Sequence, residues 1–167
     1  RALGALQCED GSFTATSDGS ECDMRFLYCA CAISTILGDW GGVDRDRASG
    51  YVRRCFSYDG GVGLVPGQES HGGSTFTATA ALKLMGRADV LEQQGAGELE
   101  QWCLRRQVTP DSAAAAEGSA DASSGLRRPG AGGFQGRCNK DADTCYSFWI
   151  GGTLDMLGAF DMVDTTR

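Results

Sequence analysis

Three segments of this chain share one plan, and that internal repeat limits the possible folds more than any other feature. They are "DGSFTATSDGSECDMRFLYCACAISTILG" from Asp10, "DGGVGLVPGQESHGGSTFTATAALKLMG" from Asp59 and "GGFQGRCNKDADTCYSFWIGGTLDMLG" from Gly132. Each opens on a Gly-rich turn and crosses a polar loop to an acidic residue. Each then runs into an apolar helical stretch ending near Gly38, Gly86 or Gly158. The acidic residues are Asp23, Glu69 and Asp143, and two positions later stand Arg25, His71 and Cys145. The second spacing is longer because of "VTPDSAAAAEGSADASSGLRRPGAGG", which is rich in Ala, Gly and Ser and poor in large apolar residues. Such a segment cannot bury enough surface to offset its ordering entropy, so a disordered insertion is expected at about residues 108–131. Without it the period returns to about 46–50 residues, in the range of helical-pair repeats.

Two kinds of helix alternate along that period. "DRDRASGYVRRCF" puts Val52 and Cys55 on one face, and "GELEQWCLRRQ" puts Leu99, Trp102 and Cys103 at i, i+3 and i+4. These are amphipathic helices with one buried face. "MRFLYCACAISTIL" and "STFTATAALKLM" are weakly polar all round, the pattern of helices buried on most sides. Outer amphipathic helices alternating with inner apolar ones predict an all-α fold, a partial α/α barrel or toroid spanning residues 1–167. A helical solenoid fits the same periodicity. No strand pattern competes.

Composition narrows the function classes. A chain of 167 residues with 41% apolar and 22% charged content reads as one globular domain. No apolar run reaches the roughly 18 residues of a transmembrane helix. The net charge of −7 argues against nucleic acid as a partner. None of the eight cysteines forms a CxxC pair, and Cys29, Cys31, Cys55 and Cys103 lie inside apolar helical patterns, where a free thiol behaves as a small hydrophobe. With no secretory leader visible, a reduced, cytoplasmic protein is expected. The first residue is Arg1, and the sequence opens as if an element were already under way. The expectation is a fragment cut at both ends.

In a barrel of this kind the inner-helix starts converge on one end. Helix N-termini present unpaired N–H groups and a positive dipole end. Arg25, His71 and Cys145 sit there, with Arg137 and Lys140 on the preceding loop, and such a cluster in an acidic chain suits a phosphate or diphosphate. Asp143 and Cys145 could ligate zinc, but D-x-C alone is a weak signal. Asp143 could equally cap its helix while Cys145 packs. Tyr28, Phe76, Phe148 and Trp149 read as core by residue type alone.

The stretches "DGSF", "DMRFLYCA", "DGGVGLVPGQESHGGSTF", "GFQGRCNK" and "DTCYSFW", in this order, resemble the β subunits of protein prenyltransferases. These are heterodimeric zinc enzymes that lipidate C-terminal cysteines. The resemblance covers nearly the whole chain apart from the insertion, and it implies an α/α barrel with more helical pairs than are present here. It further implies that Asp143 and Cys145 are two of three protein zinc ligands, the third being a histidine expected beyond Arg167. His71, Arg137, Lys140 and Tyr146 match diphosphate-binding residues. Arg25, Tyr28, Gly73 and Trp149 match the wall of the isoprenoid pocket.

"DMRF", "ESHGGSTF" and "DTCYSFW" look most like the type I geranylgeranyltransferases. The Rab-directed branch typically has "SHAG" and "SWW", and the farnesyl branch an aromatic where Ser74 stands. "QGRCNK" and "VPG" lean towards the farnesyl branch. The implied function is transfer of geranylgeranyl from its diphosphate to the cysteine of a C-terminal CaaX motif, with an α-subunit partner and Zn²⁺ as cofactor. A farnesyl or Rab geranylgeranyl β subunit is the alternative within the family. A catalytically inactive binding subunit on the same barrel is the alternative outside it.

Overall fold

The computed structural model describes residues 2–19, 21–108 and 133–164; the expected insertion lies almost wholly outside them. Among the described residues the architecture is helical. The inner helices are α1 (Met24–Leu37), α3 (Gly72–Leu84) and α6 (Thr144–Leu157). The outer ones are α2 (Arg45–Cys55) and α5 (Ala96–Leu104), with a short α4 (Asp89–Gln93) between α3 and α5. α3 lies between α1 and α6 and packs on both.

The outer helices bury the stripes their sequences offer. α2 turns Ala48, Tyr51, Val52 and Cys55 inward, and α5 turns Leu99, Trp102 and Cys103 inward. One apolar core joins α1, α2 and α3 through Phe13, Met24, Leu27, Val52 and Leu82. A second joins α5 and α6 through Trp102, Cys103, Phe134, Ile150 and Leu154. Burial pushes the thiols of Cys31, Cys55 and Cys103 up to about 12, as expected of packed cysteines.

α1 differs from the expectation. α3 is buried nearly all round, but α1 leaves Cys29, Ile33, Ile36 and Leu37 exposed, Ile36 at 82%. The reason is position: α3 has an inner helix on each flank, whereas α1 packs on an inner helix on one flank only among the described residues.

Short antiparallel pairings also appear where no strand was expected. β1 (Phe13–Thr14) pairs with β2 (Cys22–Asp23), and β3 (Gln107–Val108) pairs with β4 (Gly133–Phe134). Two-residue ladders are too short to carry a period-2 signal. Their register is nevertheless informative. Thr14 faces Cys22, Gly63 faces Ser70 and Gln135 faces Ala142, each pair closing the loop just before an inner helix. The next residue is the helix cap: Asp23, His71 and Asp143. His71 is therefore the equivalent of Asp23 and Asp143, and the sequence alignment that placed Glu69 there was two residues out of register. Acid-to-acid matching hid this, because an imidazole nitrogen can accept the capping N–H as a carboxylate does.

Two of the three inner helices, α1 and α3, are also finished by the following repeat. The Met24 N–H at the start of α1 donates to the Leu64 carbonyl (3.1 Å). The Gly72 N–H at the start of α3 donates to the Gly136 carbonyl (2.7 Å). These bonds satisfy N–H groups that a helix start otherwise leaves without a partner.

The Gly-rich turn of the second repeat is pinned from several sides. Gly60 has a φ of 89°, and a Cβ there would stand 2.8 Å from the Glu98 carbonyl oxygen of α5, so both backbone shape and contact require glycine. Beside it, the Asp59 carboxylate accepts from Trp102 Nε1 (3.0 Å), Ser70 Oγ (2.5 Å) and the Gly61 N–H (3.2 Å). Asp59→Ala strands these donors and is expected to lower stability by about 2–3 kcal/mol, read as a fall in the urea midpoint. Asp59→Asn, which keeps an acceptor oxygen, should fall less.

Candidate active site

A cavity of about 640 Å³ opens at the end of the fold where the inner helices start. α1 contributes Arg25, and α3 with its cap contributes His71, Gly73, Ser74 and Thr77. Arg137 and Trp149 come from the third repeat, and Leu64, Gln68 and Glu69 from the loop before α3. Five residues predicted from sequence therefore share one wall: Arg25, His71, Gly73, Arg137 and Trp149.

Capping geometry positions the polar groups. Asp23 Oδ1 accepts from the Arg25 N–H (2.8 Å), His71 Nδ1 from the Gly73 N–H (3.1 Å) and Asp143 Oδ1 from the Cys145 N–H (2.9 Å). The cap fixes the backbone of each helix start and so aims the side chains of its first turn. The His71 ring stands edge-on to Tyr146, with centroids 5.5 Å apart and 3.0 Å between Nε2 and the phenol oxygen. Tyr146 adjoins the wall through this bond without itself lining the cavity.

The cations here do not form one open cluster. Arg25 is held by Asp23 (2.6 Å) and Glu21 (3.3 Å), so its charge is already matched. Arg137 reaches the Glu69 carboxylate (2.7 Å), a pairing across 68 positions that the sequence did not reveal. Lys140 is exposed on the loop before α6, off the cavity wall. Both arginines on the cavity wall are thus paired with carboxylates, and Glu69 lines the cavity beside Arg137.

Aromatic packing shapes the apolar side. Phe76 is its hub: Trp149 lies 5.1 Å, Phe148 5.2 Å and Tyr28 6.1 Å from it between centroids. Tyr28 thus reaches the wall residue Trp149 through Phe76 without lining the cavity. Phe76 does not itself line the cavity, so its reading as a packing residue agrees with its place behind Trp149. Ser74 donates to the Val62 carbonyl (2.6 Å), tying the helix to the Gly-rich turn and leaving only a small side chain on the wall.

Asp143 and Cys145 are both exposed at the start of α6, off the cavity wall. The Cys145 N–H and then its thiol hold the Asp143 carboxylate below the usual carboxylate range, so it is ionised at neutral pH. Asp143 does cap α6 as the helix reading had it, but Cys145 does not pack; its sulfur stays accessible. An ionised carboxylate and an open thiol on one helix start fit two positions of a zinc site. Among the described residues no group of three or more His, Cys, Asp or Glu side chains could hold a metal.

Burial, then the Arg137 guanidinium, push the His71 imidazole below its ordinary value of 6.5, against a smaller upward pull from Glu69. The sign of the linkage follows. The unfolded chain takes up a proton near pH 6.5 and the folded chain only at lower pH. The contribution is fully present above that value and is lost as pH falls below it. Between pH 7 and 5.5 the urea midpoint of the native protein should fall more than that of His71→Asn, which keeps a capping acceptor without a titrating ring.

Among the described residues no helix is long and apolar enough to cross a membrane. The sequence profile of the prenyltransferase alpha-alpha toroid domain matches residues 1–167. The geranylgeranyl transferase type-1 subunit beta of Arabidopsis thaliana is 42% identical in an alignment covering 95% of this chain and 39% of that protein. Its counterpart in Dictyostelium discoideum is 39% identical, over 93% of this chain and 37% of the relative. The chain thus spans about two fifths of the length of these relatives. Among solved structures, Candida albicans protein geranylgeranyltransferase-I complexed with GGPP superposes with a TM-score of 0.75 at 26% identity, over 97% of this chain and 46% of that one. Repeat, capped inner helices, shared cavity and matched relatives agree: the chain belongs to the prenyltransferase alpha-alpha toroid family.

Proposed function

We propose that this chain is part of the β subunit of a zinc-dependent protein geranylgeranyltransferase of type I, acting in the cytoplasm with an α-subunit partner. Its reaction moves a geranylgeranyl group from geranylgeranyl diphosphate to the cysteine of a C-terminal CaaX motif. The observation that supports this reading is a cavity lined by Trp149 on one side, with Phe76 packed behind it, and by His71 and Arg137 at its polar end, where Tyr146 stands behind His71. Asp143 and Cys145 start the helix that also carries Tyr146 and Trp149.

Asp143 and Cys145 are the ligands this chain offers to zinc. Bound there, zinc would lower the pKa of a substrate thiol so that thiolate forms near neutral pH. The substrate sulfur bonds to C1 of the isoprenoid as the C1–O bond to diphosphate breaks. Negative charge grows on the leaving diphosphate; His71, Arg137 and Tyr146 supply donors for it, and Lys140, exposed on the loop before α6, adds its charge by swinging in from that loop. A preplaced donor of this kind is typically worth about 3 kcal/mol. Arg137 exchanges Glu69 for the diphosphate, so one ion pair replaces another. Arg25, Gly73 and Trp149 hold the isoprenoid, with Tyr28 set behind Trp149 through Phe76.

The test is co-expression of the complete β chain with its α subunit, followed by zinc analysis and competition between the two isoprenoid diphosphates for a CaaX peptide. Stoichiometric zinc and preferred geranylgeranyl transfer are expected. Preferred farnesyl transfer would move the chain to the farnesyl branch. A folded heterodimer without zinc or transfer would mark a binding subunit.

A further inference from the structure

We propose that Cys138 is a peroxide-sensitive thiol, held by the buried Arg106, whose reversible oxidation loosens the loop that carries Gly136 and Arg137. The chemistry at sulfur stands apart from the transferase reading, and only a turnover readout rests on it. Arg106 lies just past the end of α5 and is 7% exposed. A guanidinium keeps its charge in a protein, and a buried charge is normally paired. Among the described residues no carboxylate pairs with Arg106, and its Nε is buried without a hydrogen-bond partner. Its Nη1 donates to Cys138 Sγ at 2.7 Å, and its guanidinium lies 5.1 Å from the centroid of the Trp102 ring. A ring face and a thiol sulfur are weak partners for a full charge. The place is therefore suited to more negative charge at the sulfur than a thiol carries. Among the described residues this is the one hydrogen bond from a cation to a cysteine sulfur.

Backbone pairing holds the two groups together. The Gln135 N–H donates to the Arg106 carbonyl (2.8 Å), and β3 pairs with β4 beside it. Cys138 then stands exposed in the turn that follows. The next residue, Asn139, has a φ of 59°, a left-handed conformation that asparagine adopts more readily than most. A small oxidant reaches the sulfur from solvent, while the cation meets it from the protein side. The two preceding residues hold other parts of the fold. Arg137 pairs with Glu69 on the cavity wall, and the Gly136 carbonyl receives the Gly72 N–H at the start of α3.

The oxidant is hydrogen peroxide. The sulfur attacks one peroxide oxygen, and an S–O bond forms as the O–O bond breaks. The departing hydroxide takes the thiol proton and leaves as water. Sulfur gives up two electrons, peroxide accepts them, and the product is a sulfenic acid that thiols can reverse. A fixed guanidinium N–H beside the sulfur stabilises charge developing on the departing oxygen and then bonds the oxygen left on sulfur. The added oxygen needs room between Arg106 and the turn. The turn shifts to provide it, and Gly136 and Arg137 move with it.

The test uses the complete protein with its partner subunit, reduced and then exposed briefly to hydrogen peroxide with dimedone, which tags sulfenic acids for peptide mass analysis. Cys22 and Cys29 are exposed as well and serve as internal controls. Tagging at Cys138 should be about 10–100-fold faster than at either, the range for a hydrogen bond to a charged group. Equal rates at the three would overturn the proposal. Arg106→Met should bring Cys138 down to the rate of the controls; if that variant does not fold, the comparison within the native protein decides. Oxidation should speed amide hydrogen exchange at Gly72 by about 5–10-fold, the effect of losing one hydrogen bond. Unchanged exchange with Cys138 oxidised would overturn the loosening of the loop. In a transfer assay the oxidised native protein should lose turnover and regain it with dithiothreitol, while Cys138→Ala, active before treatment, is spared. Equal loss in both would overturn the link to Arg137. Fast tagging and faster Gly72 exchange in a protein without transfer activity support the proposal and overturn only the transferase reading.

Discussion

Gly136→Ala is expected to lower turnover at least about tenfold and stability by about 1–3 kcal/mol, the usual cost of forcing a carbon into a packed site. An added Cβ would lie 2.1 Å from Tyr146 Cζ and 2.4 Å from its oxygen. The phenol ring has no such room, so it must swing away from His71 or the loop must lift. Either movement strains a second bond, because the Gly136 carbonyl receives the first N–H of α3 at 2.7 Å. The measurement is a single-turnover rate paired with a urea denaturation curve. Gly97→Ala serves as the control, since nothing lies within 4 Å of a Cβ at that α5 position. It should leave turnover unchanged and match or exceed native stability. A Gly136→Ala protein with native turnover would show that Tyr146 is not held where the cavity needs it.

Cys145→Ala should lower zinc affinity by well over the roughly 10–100-fold seen when only an outer partner of a metal ligand is lost. Turnover should fall with it. The fold should not, because the sulfur is exposed and the α6 cap uses the backbone N–H of residue 145 rather than its side chain. Asp143→Asn is the companion variant: asparagine caps a helix about as well as aspartate, so the cap survives while the charge on the metal goes. Zinc analysis, turnover and the urea midpoint together read the outcome. Full zinc with normal turnover in either variant would overturn the assignment of these residues as ligands.

The alternation of helix types was legible because it is written in periodicity over whole helices. Val52 with Cys55, and Leu99 with Trp102 and Cys103, face inward as their spacing required. Arg25, His71, Gly73, Arg137 and Trp149 were legible as neighbours too, since the repeat places them at one end, but Lys140, Asp143 and Cys145 stand off the cavity wall that those five line. Register was not. Glu69 drew the alignment to itself by its charge, while the structural equivalent of Asp23 and Asp143 is a histidine. The pairing of Arg137 with Glu69 was hidden for a different reason: it joins distant parts of the chain that only the packed helices bring together. The exposure of Ile36 was hidden because α1's own sequence cannot say how many neighbours it has.

The bonds from Met24 to Leu64 and from Gly72 to Gly136 mean that the stretch of chain that folds together is offset from the stretch that repeats. An excised single repeat would carry an inner helix without the carbonyl that finishes it. It would also carry a loop whose carbonyl has lost its donor. Such an array gains order by accretion, each added loop settling the helix before it, so neighbouring repeats should melt as overlapping pairs rather than one at a time. A shortened or recombined form of this chain would keep its helix starts intact only if it is cut after a loop has closed on the preceding helix.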